Sequence, residues 1–300
     1  MALDAKGAYH FSPLESKQVG KLCEKHGGTI LLSTPTFLRS YLKRCEAKQF
    51  DTVEVVVTGA EKLPVDLCDQ FEAKFGVRPV EGYGATETSP LVSVNVPGTR
   101  SSVSDGSDAK EGTVGRPIPG VEARIVDRES GVELPIGDAG MLHVKGPNIM
   151  KGYLGRDDLT SEVIQDGWYV TGDIARLDED GFIQITGRVS RFSKIGGEMV
   201  PHGLIEEALG KIVGQEDQLL VAVTAVPDAR KGERLIVVHV KIEQTPKELC
   251  DALKEAGLPN LYIPSPDSFM EVDEIPILGT GKLDLTALRA LAEERFGGKP

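Results

Sequence analysis

Short β-branched runs alternate with helical patterns over residues 15–84, and this alternation constrains the fold more than any other feature of the chain. Helices are predicted over residues 15–26, 37–47 and 64–75, and strands over 29–33, 53–57 and 78–82. Such alternation is typical of an α/β layer with a mostly parallel sheet. Ligands of these sheets bind at the carboxyl ends of the strands, where the segments 58–61 and 82–84 lie.

The pattern changes after about residue 98. Four short β-like runs punctuated by Gly and Pro predict a small antiparallel sheet or barrel, with strands over residues 122–126, 140–145, 174–177 and 182–186. A further α/β unit follows, with helices predicted over 204–209, 247–256 and 285–295 and strands over 219–226 and 235–241. The sequence therefore predicts a mixed α/β protein.

The composition is that of a globular protein, with 300 residues, 40% hydrophobic and 27% charged. A net charge of −12 argues against non-specific binding to nucleic acid or to anionic lipid. No run of about 18 apolar residues is present, so the sequence predicts no transmembrane segment. The four cysteines form no C-x-x-C pair and are predicted to be buried thiols.

Four segments combine glycines with a hydroxyl or a charged side chain: residues 83–87, 171–173, 187–198 and 279–282. Glycine lets the backbone approach a ligand closely, while Arg and Lys neutralise phosphate charge. Together the segments indicate a site for a phosphate and a ribose.

The order of these segments, with Gly152-Tyr153 and residues 167–173, resembles the adenylate-forming (acyl-activating, AMP-binding) superfamily. The resemblance covers essentially the whole chain. A narrower resemblance is to the bacterial 2-acylglycerophosphoethanolamine acyltransferase/acyl-acyl-carrier-protein synthetase group. It is carried by Tyr9-His10, Pro13-Leu14 and residues 34–38 and 190–201.

The resemblance implies an ATP-dependent ligase that converts a fatty acid to acyl-AMP and pyrophosphate. The acyl group then passes to acyl-carrier protein, supporting lysophospholipid reacylation. Two alternatives stay open: an acyl-CoA synthetase that uses coenzyme A, and a non-catalytic nucleotide-binding fragment. The implied cofactors are ATP or AMP and Mg²⁺, and the implied location is the cytoplasm, with peripheral association at the inner membrane face as an alternative.

The resemblance also assigns roles to residues of the larger domain, expected over residues 1–188. Gly59, Ala60 and Glu61 line the adenine pocket, and Tyr83 packs on the base between Gly82 and Gly84. Thr86 contacts phosphate, and Glu87 holds Mg²⁺, which needs only one or two protein carboxylates. Asp173 accepts hydrogen bonds from the ribose hydroxyls, and Arg188 contacts ribose or phosphate. The plainer alternatives are a core tyrosine, a helix-capping pair, a turn aspartate and a surface ion pair.

A smaller lid domain is expected over residues 189–300. The resemblance places the hinge at Ser190, a lid loop at Lys194, Gly196 and Gly197, and the adenylation lysine at Lys282. A flexible ammonium group there would stabilise charge that develops in the transition state.

One family feature is not found in the sequence. Family members carry a Ser/Thr/Gly-rich phosphate loop that ends in Pro-Lys-Gly, and no such run lies between Met1 and Pro35. The expectation is therefore a C-terminal portion of the enzyme, as a truncated form, a fragment or one half of a split protein whose partner is the N-terminal half.

Overall fold

The first sheet follows the predicted alternation of strands and helices. The structure is a computed structural model that describes residues 15–98, 108–215, 219–278 and 283–297. The elements are α1 (Ser16–His26), β1 (Ile30–Ser33), α2 (Pro35–Arg44), β2 (Val55–Thr58), α3 (Val65–Phe75), β3 (Val80–Gly84), β4 (Leu91–Val94) and β5 (Arg116–Pro117). The strands lie in the order β1-β2-β3-β4-β5. The first three are parallel, as predicted, whereas β4 and β5 add to the sheet in antiparallel pairs.

Local signals set the limits of the helices that cover this sheet. Thr34 accepts a hydrogen bond from the Phe37 amide, and Pro35 occupies the first helical position, so α2 begins two residues earlier than predicted. Gly76 ends α3 with a φ of 73°. The helices bury an apolar core that includes Leu38 and Phe71 against the sheet.

The second sheet is built from β6 (Glu122–Val126), β7 (Gly140–Lys145), β8 (Ile164–Gln165), β9 (Trp168–Leu177) and β10 (Ile183–Arg188), with α4 (Asp157–Val163) before β8. The strand order is β10-β9-β7-β6, and β8 pairs with β9. The β6–β7, β7–β9 and β8–β9 pairs are antiparallel, which confirms the predicted sheet. Val92 of β4 joins Leu142 and Ile183 of this sheet in one buried cluster, so the two sheets share a core.

The third sheet is formed by β11 (Phe192–Ile195), β12 (Glu198–Pro201), β13 (Val221–Asp228), β14 (Gly232–His239) and β15 (Phe269–Glu271). Three helices accompany it: α5 (His202–Ile212), α6 (Pro246–Glu255) and α7 (Leu285–Phe296). Val221 and Val223 pack in one cluster with α5 and α6, whereas Ala222 packs with α7 in another. Because helices cover both faces of β13, its apolar run is continuous instead of alternating.

The chain forms two compact units, residues 1–186 and 187–300. The mixed α/β class is confirmed. The assignment of a larger AMP-binding domain and a lid with a boundary after residue 188 stays a prediction. Three of the four cysteines are buried, as predicted, and Cys23 is half-buried. Among the described residues, no helix combines the length and the apolar character that a membrane crossing requires.

Candidate functional site

Two of the predicted adenine-pocket segments lie side by side at the carboxyl edge of the first sheet. Thr58 at the end of β2 pairs with Glu81 of β3, so the loop after β2 runs beside Gly82. A Cβ built on Gly59 would lie 3.5 Å from the Gly82 carbonyl oxygen. Ala60 has a φ of 70°, an uncommon conformation for a residue other than glycine. The loop therefore has a defined backbone conformation where it leaves the carboxyl end of β2.

Glu61, the third predicted member of this loop, contacts the start of α2. The Thr36 hydroxyl donates to Glu61 Oε2 over 2.7 Å, and the Thr36 amide donates to the same oxygen over 3.2 Å. A carboxylate at a helix N-terminus is stabilised by the helix dipole. The Glu61 carboxylate therefore anchors the loop to α2.

Tyr83 and Asp173, which are 90 residues apart in the sequence, form a hydrogen bond. The Tyr83 hydroxyl donates to Asp173 Oδ2 over 2.5 Å. Burial and the neighbouring Asp173 carboxylate raise the pKa of Tyr83, so the phenol stays protonated and acts as a donor. The Tyr83 ring packs partly against the shared core of the two sheets. The structure thus joins two predicted site residues.

The side chain of Thr171, which also lies on β9, holds the backbone of Asp173 in place. The Asp173 amide donates to the Thr171 hydroxyl oxygen over 3.0 Å, and the Thr171 hydroxyl donates to the buried Leu142 carbonyl over 2.8 Å. Hydrogen bonds of this kind fix the orientation of a residue within its strand.

Thr86 and Glu87 lie in a short 3-10 turn, Thr86–Thr88, that follows β3. The buried Thr88 hydroxyl closes this turn, since it accepts from the Ala85 amide over 2.9 Å. Thr86 is exposed and Glu87 is half-buried. The Tyr153 hydroxyl donates to Glu87 Oε1 over 2.7 Å. The predicted capping alternative for this pair does not hold, because Thr88 and not Thr86 makes the capping contact.

Gly84 lets the end of β3 pass close to the Pro90 carbonyl, just after this turn. A Cβ at Gly84 would lie 1.8 Å from the Pro90 carbonyl oxygen, so no other residue fits without moving the backbone. The glycine that the sequence analysis assigned to ligand approach is therefore also required by the fold.

The remaining predicted site residues lie in the second unit or outside the described residues. Arg188 ends β10 and is exposed, and the exposed Ser190 lies in the 3-10 turn that follows. Gly196 and Gly197 form the turn between β11 and β12, and Lys194 lies on β11, so the predicted lid loop is a β-hairpin. Lys282 lies outside the described residues, as do Tyr9, His10, Pro13 and Leu14.

Part of the first unit also matches a family model. Residues 7–154 match the model described as AMP-binding enzyme.

Curated relatives extend the likeness beyond the AMP-binding region. The chain is 33% identical over 296 residues to a long-chain-fatty-acid–CoA ligase of Thermus thermophilus, covering 95% of this chain and 53% of that protein. It is 31% identical over 277 residues to the long-chain-fatty-acid–CoA ligase of Bacillus subtilis, covering 91% of this chain and 47% of that protein. The chain thus spans about half the length of these curated relatives.

Two solved structures show the same architecture over most of this chain. ATP-bound MatB from Rhodopseudomonas palustris superposes with a TM-score of 0.77 at 29% identity, covering 95% of this chain and 54% of that chain. The o-succinylbenzoate CoA synthetase MenE from Bacillus subtilis, solved with its acyl-adenylate intermediate, gives a TM-score of 0.76 at 26% identity. That match covers 92% of this chain and 54% of that chain.

The residues present fit a nucleotide that arrives with a magnesium ion. Within the described ranges, no group of three or more His, Cys, Asp or Glu side chains could hold a metal by itself. Mg²⁺ takes most of its ligands from water and phosphate and needs only one or two carboxylates. Glu87 would be one such carboxylate, and its Oε2 atom has no hydrogen-bond partner among the described residues.

Two contacts of functional side chains are not predicted from the sequence. Tyr153 is predicted only as a motif residue, although its hydroxyl contacts Glu87 in the structure. A buried pair in the second unit is also not predicted, and here Ser193 Oγ lies 2.6 Å from His202 Nε2. The Gly152-Tyr153 motif could have marked the first position, whereas no local signal indicates the second.

Proposed function

We propose that the protein is an AMP-forming acid–thiol ligase that activates a carboxylic acid with ATP and transfers the acyl group to coenzyme A. The Tyr83–Asp173 hydrogen bond carries this proposal. It joins two motif segments of the AMP-binding family at the carboxyl edge of the first sheet, and Glu87 follows three residues after β3. Strand ends are where open α/β sheets bind ligands.

The proposed nucleotide site combines the loop after β2 with β3 and β9. Gly59, Ala60 and Glu61 would flank the adenine, and Tyr83 would contact the base between Gly82 and Gly84. Asp173 would accept hydrogen bonds from the ribose hydroxyls, because a carboxylate is an acceptor with several lone pairs. Thr86 would contact phosphate, and Glu87 would hold the Mg²⁺ that neutralises phosphate charge.

The second unit would supply the remaining groups. Under this proposal residues 189–300 form the lid domain, with a hinge at Ser190 and a lid loop at Lys194, Gly196 and Gly197. Arg188 would contact ribose or phosphate, and Lys282 would be the adenylation lysine.

The proposed reaction has two steps. A carboxylate oxygen of the acid attacks the α-phosphorus of ATP, the bond to the bridging oxygen breaks, and pyrophosphate leaves with the electron pair. The sulfur of the thiolate then attacks the acyl carbon, and AMP leaves. The protein contributes mainly orientation and charge stabilisation to such displacements.

The names of the relatives support coenzyme A as the acceptor. The curated relatives reported above are long-chain-fatty-acid–CoA ligases, and the solved relative MenE is a CoA synthetase. These names favour the alternative acceptor of the sequence analysis over acyl-carrier protein, and they give no support to a step in phospholipid reacylation. A long-chain fatty acid is the corresponding proposal for the acid.

Two measurements test the proposal. Calorimetry with AMP and with MgATP measures nucleotide binding, and ATP–pyrophosphate exchange with palmitate or acetate measures adenylate formation. We expect binding, exchange that is faster with palmitate, and thioester formation with coenzyme A. Asp173→Asn should abolish binding, whereas Asp157→Asn, at the exposed start of α4, is the matched control that should not.

The outcomes separate the candidate functions. Binding without exchange would indicate the non-catalytic nucleotide-binding alternative. Exchange followed by transfer only to acyl-carrier protein would support acyl-carrier protein, and not coenzyme A, as the acceptor. Failure to bind either nucleotide would refute the ligase proposal.

A further inference from the structure

The segment that follows β7 braces the turn that carries Glu87. Asn148 Nδ2 donates to the Thr88 carbonyl over 2.8 Å and to the Leu91 carbonyl over 2.7 Å. The Met150 amide donates to the Glu87 carbonyl over 2.8 Å. Both donor groups come from the loop after β7 of the second sheet, and all three acceptors lie in the chain after β3. The backbone at Glu87 and immediately after it is therefore held by a segment of the second sheet.

Tyr153 adds a contact to the Glu87 side chain itself. Its hydroxyl donates to Oε1 over 2.7 Å, so both the backbone and the carboxylate of Glu87 contact the same loop. A protonated phenol can only donate to a carboxylate, so this contact has one direction.

The backbone of Tyr153 is fixed by its neighbours. The Tyr153 amide donates to the Thr160 hydroxyl oxygen over 2.9 Å, and the Tyr153 carbonyl accepts from the Arg156 amide over 3.0 Å. A Cβ on Gly152 would lie 2.8 Å from Thr160 Cγ2, so the glycine permits this packing. The phenol is thus presented to Glu87 from a defined backbone position.

We propose that Tyr153 is a positioning residue that holds the Glu87 carboxylate in the orientation needed to bind a divalent cation with ATP. The inference rests on the proposed function and concerns the same site. The Tyr153 hydroxyl occupies Oε1, whereas Oε2 has no hydrogen-bond partner among the described residues, so Oε2 is the oxygen offered to the cation. A flexible glutamate otherwise loses rotamer entropy when the metal binds.

The test measures how ATP binding depends on the concentration of Mg²⁺. Partners that orient a metal ligand typically change metal affinity by about 10–100-fold. For the partly exposed Tyr153 we expect the lower end, so Tyr153→Phe should raise the Mg²⁺ concentration for half-maximal ATP binding about tenfold. Binding of AMP without metal should not change. Tyr262→Phe, which removes a phenol from the second unit, is the matched control and should behave as the wild type.

A double-variant comparison separates positioning from a general structural role. In a Glu87→Ala background, Tyr153→Phe should have no further effect on the Mg²⁺ dependence, because its only route to the metal is removed. An unchanged Mg²⁺ dependence in the single variant would overturn the inference while leaving the proposed function intact. An equal loss of AMP affinity would also overturn it, since that result indicates a structural role. If the wild type binds neither AMP nor MgATP, the proposed function fails and the inference fails with it.

Discussion

Glu81 makes the stability of the first unit depend on pH in an unusual direction. The carboxyl lies on β3, is half-buried beside a cavity of about 110 Å³, and accepts a hydrogen bond from the Leu63 amide over 3.3 Å. Burial raises the pKa of Glu81 from 4.5 to about 7, against the opposing effects of the Leu63 amide and the Lys62 ammonium. The folded protein therefore keeps a proton on Glu81 that the unfolded chain releases.

The sign and size of the effect follow from this difference. Between pH 4.5 and 7 the folded state binds more protons at Glu81 than the unfolded state, so the free energy of unfolding falls as pH rises. The full pKa difference corresponds to about 3 kcal/mol, and solvent screening of a partly buried group reduces this to about 2 kcal/mol. The contribution is fully present below pH 4.5 and is lost above about pH 7.

Glu81→Gln removes the titration while keeping an acceptor for the Leu63 amide. We subtract the unfolding free energy of the wild type from that of the variant at each pH. This difference should be about 2 kcal/mol larger at pH 8 than at pH 4.5. Urea unfolding followed by fluorescence is suited to this comparison, because the single tryptophan, Trp168, lies in the same compact unit. Glu122→Gln, at an exposed position on β6, is the matched control. A difference between Glu81→Gln and wild type that stays constant with pH would refute the reasoning.

Three further predictions concern other positions. Tyr83→Phe removes the charge-assisted hydrogen bond to Asp173 and should weaken AMP binding about tenfold, measured by calorimetry. An unchanged affinity would mean that this hydrogen bond does not contribute to nucleotide binding. Gly84→Ala should cost about 2 kcal/mol or more of stability in urea unfolding, because its Cβ would overlap a backbone carbonyl; a cost below about 0.5 kcal/mol would contradict the packing. Burial, with a smaller contribution from a nearby arginine, lowers the pKa of His202 from 6.5 to about 3. Between pH 6.5 and pH 3 the His202 side chain takes up a proton only in the unfolded chain. On going from above pH 6.5 to pH 5, this uptake should lower the free energy of unfolding by about 2 kcal/mol. His202→Gln should lack that loss when denaturant unfolding is followed by circular dichroism at both pH values.

The layers of the fold could be predicted because the signals are local. Apolar periodicity and glycine ends located α3 within one residue, and β6 and β7 were predicted with their observed limits. The hairpin of β11 and β12 was missed, although Gly196-Gly197 between two short runs is a recognised hairpin signal. The same glycines also suit a phosphate-binding loop. Because that interpretation was preferred, the hairpin turn was not predicted.

The candidate site was harder to predict because its contacts are distant in the sequence. Motif order identified Tyr83, Glu87 and Asp173 as one group, but no pattern states which side chains touch. Tyr83 meets Asp173 across 90 residues, and Tyr153 meets Glu87 across 66. Such pairings depend on how two sheets pack, which single-sequence periodicity does not encode.

Both of these hydrogen bonds run from one sheet to the segments of the other. Tyr83 lies on the first sheet and Asp173 on the second, whereas Glu87 lies between β3 and β4 of the first sheet and Tyr153 follows β7 of the second. The sheets are joined by the core that includes Val92 and Leu142, so this apolar packing sets the separation of the polar groups. Because close-packed cores transmit small displacements, a cavity in that core would move both pairs together. The apolar contact between the sheets is therefore part of what orients the proposed nucleotide and metal ligands.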